Sequence, residues 1–168
     1  MSDQIFIVED GKLTKFEADD YAEEVYIPDC VKIIGEKSFF EAAVGKVVIP
    51  DSVTTIEPDA FVDCTLEEIE IPDSVTTIET WAFSGCEALH EITIPESVTS
   101  IGPWAIGYRE LHFLPYWDPV PFGRPVIIYG KKGSEAERYT KDNYYRYNEL
   151  ITEFREIETD DGKQKGES

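Results

Sequence analysis

A repeat of 22 or 23 residues constrains the fold of this chain more than any other feature of its sequence. Ile-Pro pairs mark the phase of the repeat and recur at spacings of 22, 22 and 23 residues: Ile27-Pro28, Ile49-Pro50, Ile71-Pro72 and Ile94-Pro95. A unit of this length cannot bury its own apolar face, whereas stacked units bury a continuous core. The sequence therefore predicts a solenoid of four coils over residues 25–106.

Each coil repeats one order of apolar and polar residues. In the third coil, Ile69 and Ile71 alternate with glutamates, which predicts a short strand with one buried face. Pro72 then ends the strand, because proline has no N–H to donate to a ladder. A second apolar pair, Val75 and Ile78, follows after an Asp-Ser turn, and an Ala-Phe pair fills the middle of the coil. Stacking such units predicts a parallel sheet of short strands.

The full pattern, IP-x-SVT-x-I-x-x-x-AF-x-x-C-x-x-L, resembles the BspA-like leucine-rich repeat. Residues 25–106 carry it almost continuously, the stretch from Phe6 to Glu17 resembles the opening hairpin of such arrays, and Ile127 to Asn143 resembles their closing segment. The resemblance implies an α/β-type leucine-rich-repeat solenoid that is mostly β, right-handed, and built on a parallel sheet of short strands. It also implies a binding or adhesion module.

The two ends of the array are expected to be capped, because end coils expose apolar edges and unpaired backbone. One domain is predicted over 1–155, with an N-terminal β-hairpin cap at 1–24, a C-terminal β/helix cap at 107–155, and a flexible acidic and polar tail at 156–168. Asp10-Gly11 is a hairpin turn signal. In the C-terminal cap we expect strands at 111–114, 126–129 and 145–151, and a helix from a Ser134 capping box to about Asp142.

The charge is strongly acidic, with 35 Asp and Glu against 15 Lys and Arg and a net charge of −20. Such a surface repels nucleic acid and anionic membrane and favours basic partners or cations, although solubility alone would also account for it. No apolar run is long enough to span a membrane, and no signal peptide is visible. The sequence as written is therefore expected to be cytoplasmic, or secreted or at the cell surface if it is a fragment.

The outward face of the predicted sheet is the first candidate for binding. Its candidate contact residues are Tyr26, Val48, Glu68, Glu70, Glu91 and Thr93. Because this face is mostly acidic, a basic protein would complement it. The alternative is a solvated face with no partner.

Tryptophans form the second candidate. Trp81 and Trp104 occupy one column of the repeat, and Trp117 lies in a loop rich in proline and aromatic residues. Exposed tryptophans are typical of interface hot spots, and they also serve as platforms for sugars. The alternative is that the loop at 115–125 folds over Trp81 and Trp104 and caps the array.

Evidence for chemistry at other positions is weak. The column Asp29, Asp51, Asp73 and Glu96 is a weak calcium candidate, because each acid follows the proline of its coil and is also a natural turn residue. No catalytic or nucleotide-binding motif is present, so neither an enzyme nor a cofactor is predicted.

The sequence thus predicts a non-catalytic module that binds a protein partner through the sheet face or the C-terminal aromatic region. The alternative is a surface adhesin or carbohydrate-binding fragment of a larger secreted bacterial protein. We expect a monomer or a weak homodimer, with no nucleic-acid partner and no membrane insertion.

Overall fold

The computed structural model describes residues 3–109, 120–121, 125–143 and 152–157. The described part contains fourteen strands and one helix. The first seven strands are β1 Gln4–Glu9, β2 Lys12–Ala18, β3 Ala22–Tyr26, β4 Ile33–Ile34, β5 Val44–Val48, β6 Thr55–Ile56 and β7 Glu68–Glu70. The others are β8 Thr77–Ile78, β9 Glu91–Thr93, β10 Ser100–Ile101, β11 Tyr108–Arg109, β12 Val120–Pro121, β13 Val126–Gly130 and β14 Thr152–Glu156, with α1 at Glu135–Asn143 between the last two strands.

One side of the solenoid is a continuous six-stranded ladder in the order β1-β2-β4-β6-β8-β10. The predicted hairpin forms its first two strands, with Asp10 and Gly11 at φ of 50° and 81°, as a two-residue hairpin turn requires. From β2 onward the pairing is parallel, and Leu13 lies in register with Ile34 of the first coil. The hairpin is therefore continuous with the array and supplies its first ladder strands.

The other side carries two separate three-stranded sheets. Strands β3, β5 and β7 form one, and β9, β13 and β14 form the other. All pairs in these two sheets are parallel. Within the described residues, β7 and β9 are neighbours that do not pair, so the sheet is interrupted between the third and fourth coils.

The core lies between these two sides and is built of the repeat columns. Phe16, Phe39, Phe61 and Phe83 stack in sequence along the axis with ring centroids 4.7–5.2 Å apart. Phe16 belongs to the hairpin, so the aromatic column begins one coil before the first Ile-Pro unit. The column fills the middle of the first three coils, and the buried Ile106 takes this position in the fourth.

Helix α1 closes the C-terminal end of the core. Tyr139 is buried, and its hydroxyl oxygen accepts a hydrogen bond from the Ile106 N–H at 2.9 Å. The predicted helix is confirmed, but its capping box is not formed as expected. The Glu137 carboxylate accepts from the Gly133 N–H at 2.6 Å, and the buried Ser134 hydroxyl has no hydrogen-bond partner among the described residues.

The predicted strand at 126–129 is confirmed as β13. The strand expected at 111–114 and the one expected at 145–151 lie outside the described residues. A strand does follow the helix, but at 152–156, and it includes Glu156, which we expected to begin the tail. No helix in the described part of the chain is long and apolar enough to cross a membrane.

Candidate partner-binding face

The strands of the interrupted side alternate between core and solvent. In β7, Ile69 is buried between exposed Glu68 and Glu70, and in β9 Ile92 is buried between exposed Glu91 and Thr93. This alternation follows from the two-residue period of a strand. It aims the acidic side chains of both strands at solvent on the same face.

A cleft of about 760 Å³ lies where the two three-stranded sheets meet, and we call it the inter-sheet cleft. Its polar lining residues are Glu68, Glu70, Glu91, Thr93 and Glu156, and its apolar and aromatic lining residues are Ile69, Ile71, Ile92, Tyr129 and Ile157. The cleft therefore combines several carboxylates with apolar surface. Four of the six predicted contact residues of the sheet face line it.

A one-residue difference in coil length explains the position of the cleft. The second coil reads Cys-Thr-Leu from Cys64 to Leu66, whereas the third reads Cys-Glu-Ala-Leu from Cys86 to Leu89. The extra residue falls in the corner just before β9, where the chain must enter the sheet.

The backbone hydrogen bonds of the two corners differ accordingly. In the second coil, the Thr65 and Glu67 N–H groups donate to Ala42 and Gly45 of the preceding coil at 3.2 and 2.8 Å. In the third coil, the Glu87 and Leu89 N–H groups donate instead to Gly85 and Cys86 of the same coil at 2.8 and 3.1 Å. The longer corner satisfies its backbone locally, and the following strand does not join the sheet of β7.

The gap between β7 and β9 is too narrow to admit another strand. The two strands have Cα atoms within 8 Å of each other, whereas an inserted strand needs roughly twice the ~4.8 Å spacing of paired strands. A ligand of the inter-sheet cleft must therefore lie over it and contact the side chains of its lining.

Beside the cleft, Lys46 of β5 lies among carboxylates. Its Nζ is 2.5 Å from Glu70, 3.3 Å from Glu68 and 3.8 Å from Glu24, and we call these four residues the Lys46 cluster. Hydrogen bonds to Glu70 and then to Glu68 raise the pKa of Lys46 above its ordinary value. A second groove, of about 890 Å³, borders the cluster, and Glu68 lines both this groove and the cleft.

Tyr26 and Val48 lie in register with Glu70 across β3, β5 and β7. Tyr26 is 62% exposed, and Val48 is half-buried. A hydrogen bond to Glu24, with burial and charge as smaller causes, raises the pKa of the Tyr26 hydroxyl. These two residues extend the apolar surface of the face beyond the cleft.

The sequence did not single out Lys46, Tyr129, Glu156 or Ile157 as contact residues. Lys46 is detectable in hindsight, because it interrupts an outward column of glutamates. Tyr129 lies in register with Thr93, but it belongs to a strand without the repeat motif, and no sequence signal places β14 beside it.

Trp81 and Trp104 stack on each other with ring centroids 5.1 Å apart and an interplanar angle of 30°. Both are half-buried, and neither lines the inter-sheet cleft. Their φ angles of 61° and 56° are left-handed, as are those of Lys37 and Asp59 in the same column. Trp117 lies outside the described residues.

The weak calcium column, Asp29, Asp51, Asp73 and Glu96, is exposed throughout. The Glu96 carboxylate accepts hydrogen bonds from Lys131 Nζ at 2.9 and 3.0 Å. Within the described residues, no three His, Cys, Asp or Glu side chains come close enough to hold a metal ion.

The two cysteines of the repeat face the core. Cys64 Sγ donates to the Phe39 carbonyl at 2.7 Å, and Cys86 Sγ donates to the Phe61 carbonyl at 3.0 Å. Burial raises the pKa of the Cys86 thiol well above its ordinary value. These thiols behave as buried small side chains rather than as nucleophiles.

Comparison with known families identifies the array. The BspA type leucine rich repeat region matches residues 14–120 in six copies. This chain belongs to the BspA-type leucine-rich repeat family. The match of this BspA-type chain begins within β2, and so it includes part of the hairpin that pairs with the first coil. Its six copies exceed the four coils expected from the Ile-Pro pairs.

Solved structures similar to this BspA-type chain include a leucine-rich repeat protein from Bacteroides ovatus ATCC 8483, at 32% identity over 60% of this chain and 36% of that one, with a TM-score of 0.43. The Treponema pallidum leucine-rich repeat protein is 22% identical over 76% and 68% of the two chains, with a TM-score of 0.48. The pneumococcal vaccine antigen PcpA is 21% identical over 60% and 32%, with a TM-score of 0.46. The match thus spans about a third of PcpA and of the B. ovatus protein. A search of curated proteins finds no match.

Proposed function

We propose that this BspA-type chain is a non-catalytic interaction module that binds a basic protein segment across the inter-sheet cleft. The observation that carries the proposal is the composition of the cleft, in which exposed Glu68, Glu70 and Glu91 are combined with the half-buried Ile71 and the exposed Ile157. Membership of a repeat family built for binding supports an interaction role, and it favours that role over catalysis.

The chemistry of the cleft suits lysine or arginine side chains. Each carries an apolar stem and a charged head, so the stem packs on isoleucine while the head reaches a carboxylate. The net charge of −20 attracts such a partner over distance and repels acidic competitors. Because the charges are exposed, binding should weaken as salt shortens the screening length.

A matched pair of triple variants tests this proposal. E68Q/E70Q/E91Q removes three charges from the cleft, and D29N/D51N/D73N removes three from the exposed turns. The probe is a fluorescein-labelled peptide of alternating lysine and leucine, titrated by fluorescence anisotropy.

We expect the cleft variant to lose about tenfold or more in affinity, or about 1.4 kcal/mol, and the turn variant to change less than about twofold. Equal losses in the two variants would show that the peptide responds only to net charge, and the cleft would then not be the site. A glutamate-leucine peptide serves as the negative control.

The stacked pair of Trp81 and Trp104 supports a second candidate, a carbohydrate-binding or adhesin role within a larger secreted or cell-surface protein. Aromatic faces are platforms for apolar sugar faces, and the rings are half-buried rather than enclosed. A glycan array separates the two candidates. Sugar binding that is lost in W81A but kept in E68Q/E70Q/E91Q would favour the second candidate over the first.

A further inference from the structure

Lys46 is the only basic residue in strands β3, β5, β7 and β9, and it lies in register with Glu24 and Glu68. Its ammonium group is within 4 Å of three carboxylates, two of which, Glu68 and Glu70, line the inter-sheet cleft. Lys46 therefore already makes the kind of contact that a basic partner would make on this face.

We propose that Lys46 occupies from within the chain the position of a basic side chain of the partner, and that the partner must displace it to bind Glu68 and Glu70. This inference rests on the proposed function and adds to it a competition inside the chain. Lys46 would then set the threshold of affinity that a partner must exceed.

The exposed fractions of the side chains support the replacement of Lys46 by a basic side chain of the partner. The Glu68 and Glu70 side chains are 64% and 57% exposed, whereas the Lys46 side chain is only 27% exposed. A second ammonium group can therefore reach both carboxylates from solvent. Exposed ion pairs are weak, because water and salt screen them, so displacement costs little.

The cluster also offers Lys46 an alternative position. Glu24 lies 3.8 Å from its Nζ, on the side of the second groove and away from the cleft. A rotation of the flexible side chain toward Glu24 keeps Lys46 paired while it frees Glu70.

The test compares K46M with K15M. Lys15 is also paired with a glutamate, Glu17 at 2.5 Å, but it is more exposed than Lys46 and lies on the hairpin. Both variants remove one positive charge and so change the net charge equally. K15M therefore controls for long-range electrostatic attraction of the peptide. Thermal unfolding of both variants shows whether either change affects the fold.

With the lysine-leucine peptide as probe, we expect K46M to bind about fivefold more tightly than the wild type, and K15M to change less than about twofold. NMR of the lysine side-chain ammonium groups gives an independent readout, because the Lys46 signal should shift when the wild-type protein is saturated with peptide. Equal or weaker binding by K46M, or a Lys46 signal that does not move, would overturn the inference.

The outcomes also separate this inference from the proposed function. If the wild type binds the peptide through the cleft and K46M binds it no better, the displacement of Lys46 is wrong and the cleft remains the site. If neither protein binds the peptide, both the proposed function and the inference are wrong.

Discussion

The two sides of this solenoid are built by the same coils but differ in continuity. The six-stranded ladder from β1 to β10 passes the third and fourth coils without a break, with Ile101 in register with Ile78. The opposite side stops at β7 and starts again at β9. Both sides must accommodate the same 23-residue spacing, yet only one of them is interrupted.

The position of the extra residue accounts for the difference. It lies in the Glu87–His90 corner, immediately before β9, where its local hydrogen bonds replace those to the preceding coil. Further along the fourth coil, Val98 and Ile101 are again buried, in the same columns as Val75 and Ile78. A repeat array can thus keep a continuous ladder on one side for stability, while one extra residue in a coil opens a cleft on the other side.

The largest effect is expected at the core that both sides share. Phe61 is fully buried in the aromatic column, 4.7 Å from the Phe39 ring and 5.2 Å from that of Phe83. Phe61→Ala should lower the free energy of unfolding by about 3–5 kcal/mol, because it removes buried area and leaves a cavity. Denaturant unfolding followed by circular dichroism measures the change.

Phe40 provides a matched control in the neighbouring coil. Its side chain is 52% exposed, so Phe40→Ala should cost under about 1 kcal/mol. A similar loss in both variants would contradict a single stacked core beneath the two sides.

The columns of this core are the part of the fold that the sequence predicts well. Repetition identifies which residues are buried, because Ile34, Ile56 and Ile78 recur at one position with fixed spacing. The same logic predicts that Glu68 and Glu91 face solvent. Each of these conclusions depends only on the period of a strand and on stacking.

The break in the sheet could not be predicted in this way. The 23-residue spacing is visible in the sequence, but a corner with one extra residue can be accommodated in two ways. It can bulge outward, or its backbone can form hydrogen bonds within the same coil, and only the second arrangement separates β7 from β9. The contribution of β13 and β14 to the cleft was also hidden, since neither strand carries the repeat motif. The choice between local and inter-coil hydrogen bonds decides the first feature, and long-range strand pairing decides the second.

On the continuous side, neighbouring coils lie close together at Gly102. Gly102 follows β10, and a Cβ placed there would lie 2.3 Å from the Thr80 backbone nitrogen. Gly102→Ala should lower the free energy of unfolding by about 1–3 kcal/mol, because the backbones of two adjacent coils must move apart to fit the added methyl group. Denaturant unfolding gives the value, and hydrogen exchange of the Ile78 and Ile101 amides shows whether the ladder loosens locally.

Gly133→Ala is the corresponding control for backbone strain. Its φ is +81°, but no atom lies within 4 Å of the added Cβ, so only the left-handed conformation is penalised, at about 1 kcal/mol. If Gly102→Ala costs no more than Gly133→Ala, the spacing between coils is less restrictive than the structure indicates.

Glu135 holds α1 on the last strand of the continuous ladder. The Ile101 N–H of β10 donates to Glu135 Oε1 at 3.0 Å, and Arg138 Nε donates to Glu135 Oε2 at 2.6 Å. Arg138 first, and the Ile101 N–H to a lesser degree, lower the pKa of Glu135. A carboxylate with a lowered folded-state pKa stabilises the fold above its unfolded pKa of about 4.3, and this contribution is lost as pH falls through the folded value.

Glu135→Gln should therefore destabilise the protein by about 1–2 kcal/mol at pH 7 and by less as pH falls through the lowered folded-state pKa of Glu135, because protonation removes the charge of the wild-type carboxylate. The readout is the difference in unfolding free energy between the two proteins at each pH, since other acids titrate in both. A difference that does not shrink at low pH would mean that the charge of Glu135 does not anchor the helix.

The smallest effect on stability, and the most direct test of the comparison between the two sides, is expected from deletion of Ala88. The corner then reads Cys-Glu-Leu, with the length of the second coil's Cys-Thr-Leu, and should bond to the preceding coil in the same way. Each hydrogen bond gained is offset by a local one lost, so the free energy of unfolding should change by no more than about 1 kcal/mol. Strands β7 and β9 should pair, which slows hydrogen exchange of their amides and reduces peptide binding as the cleft closes. Unchanged exchange in β7 and β9 would show that the coil length is not what keeps the two sheets apart.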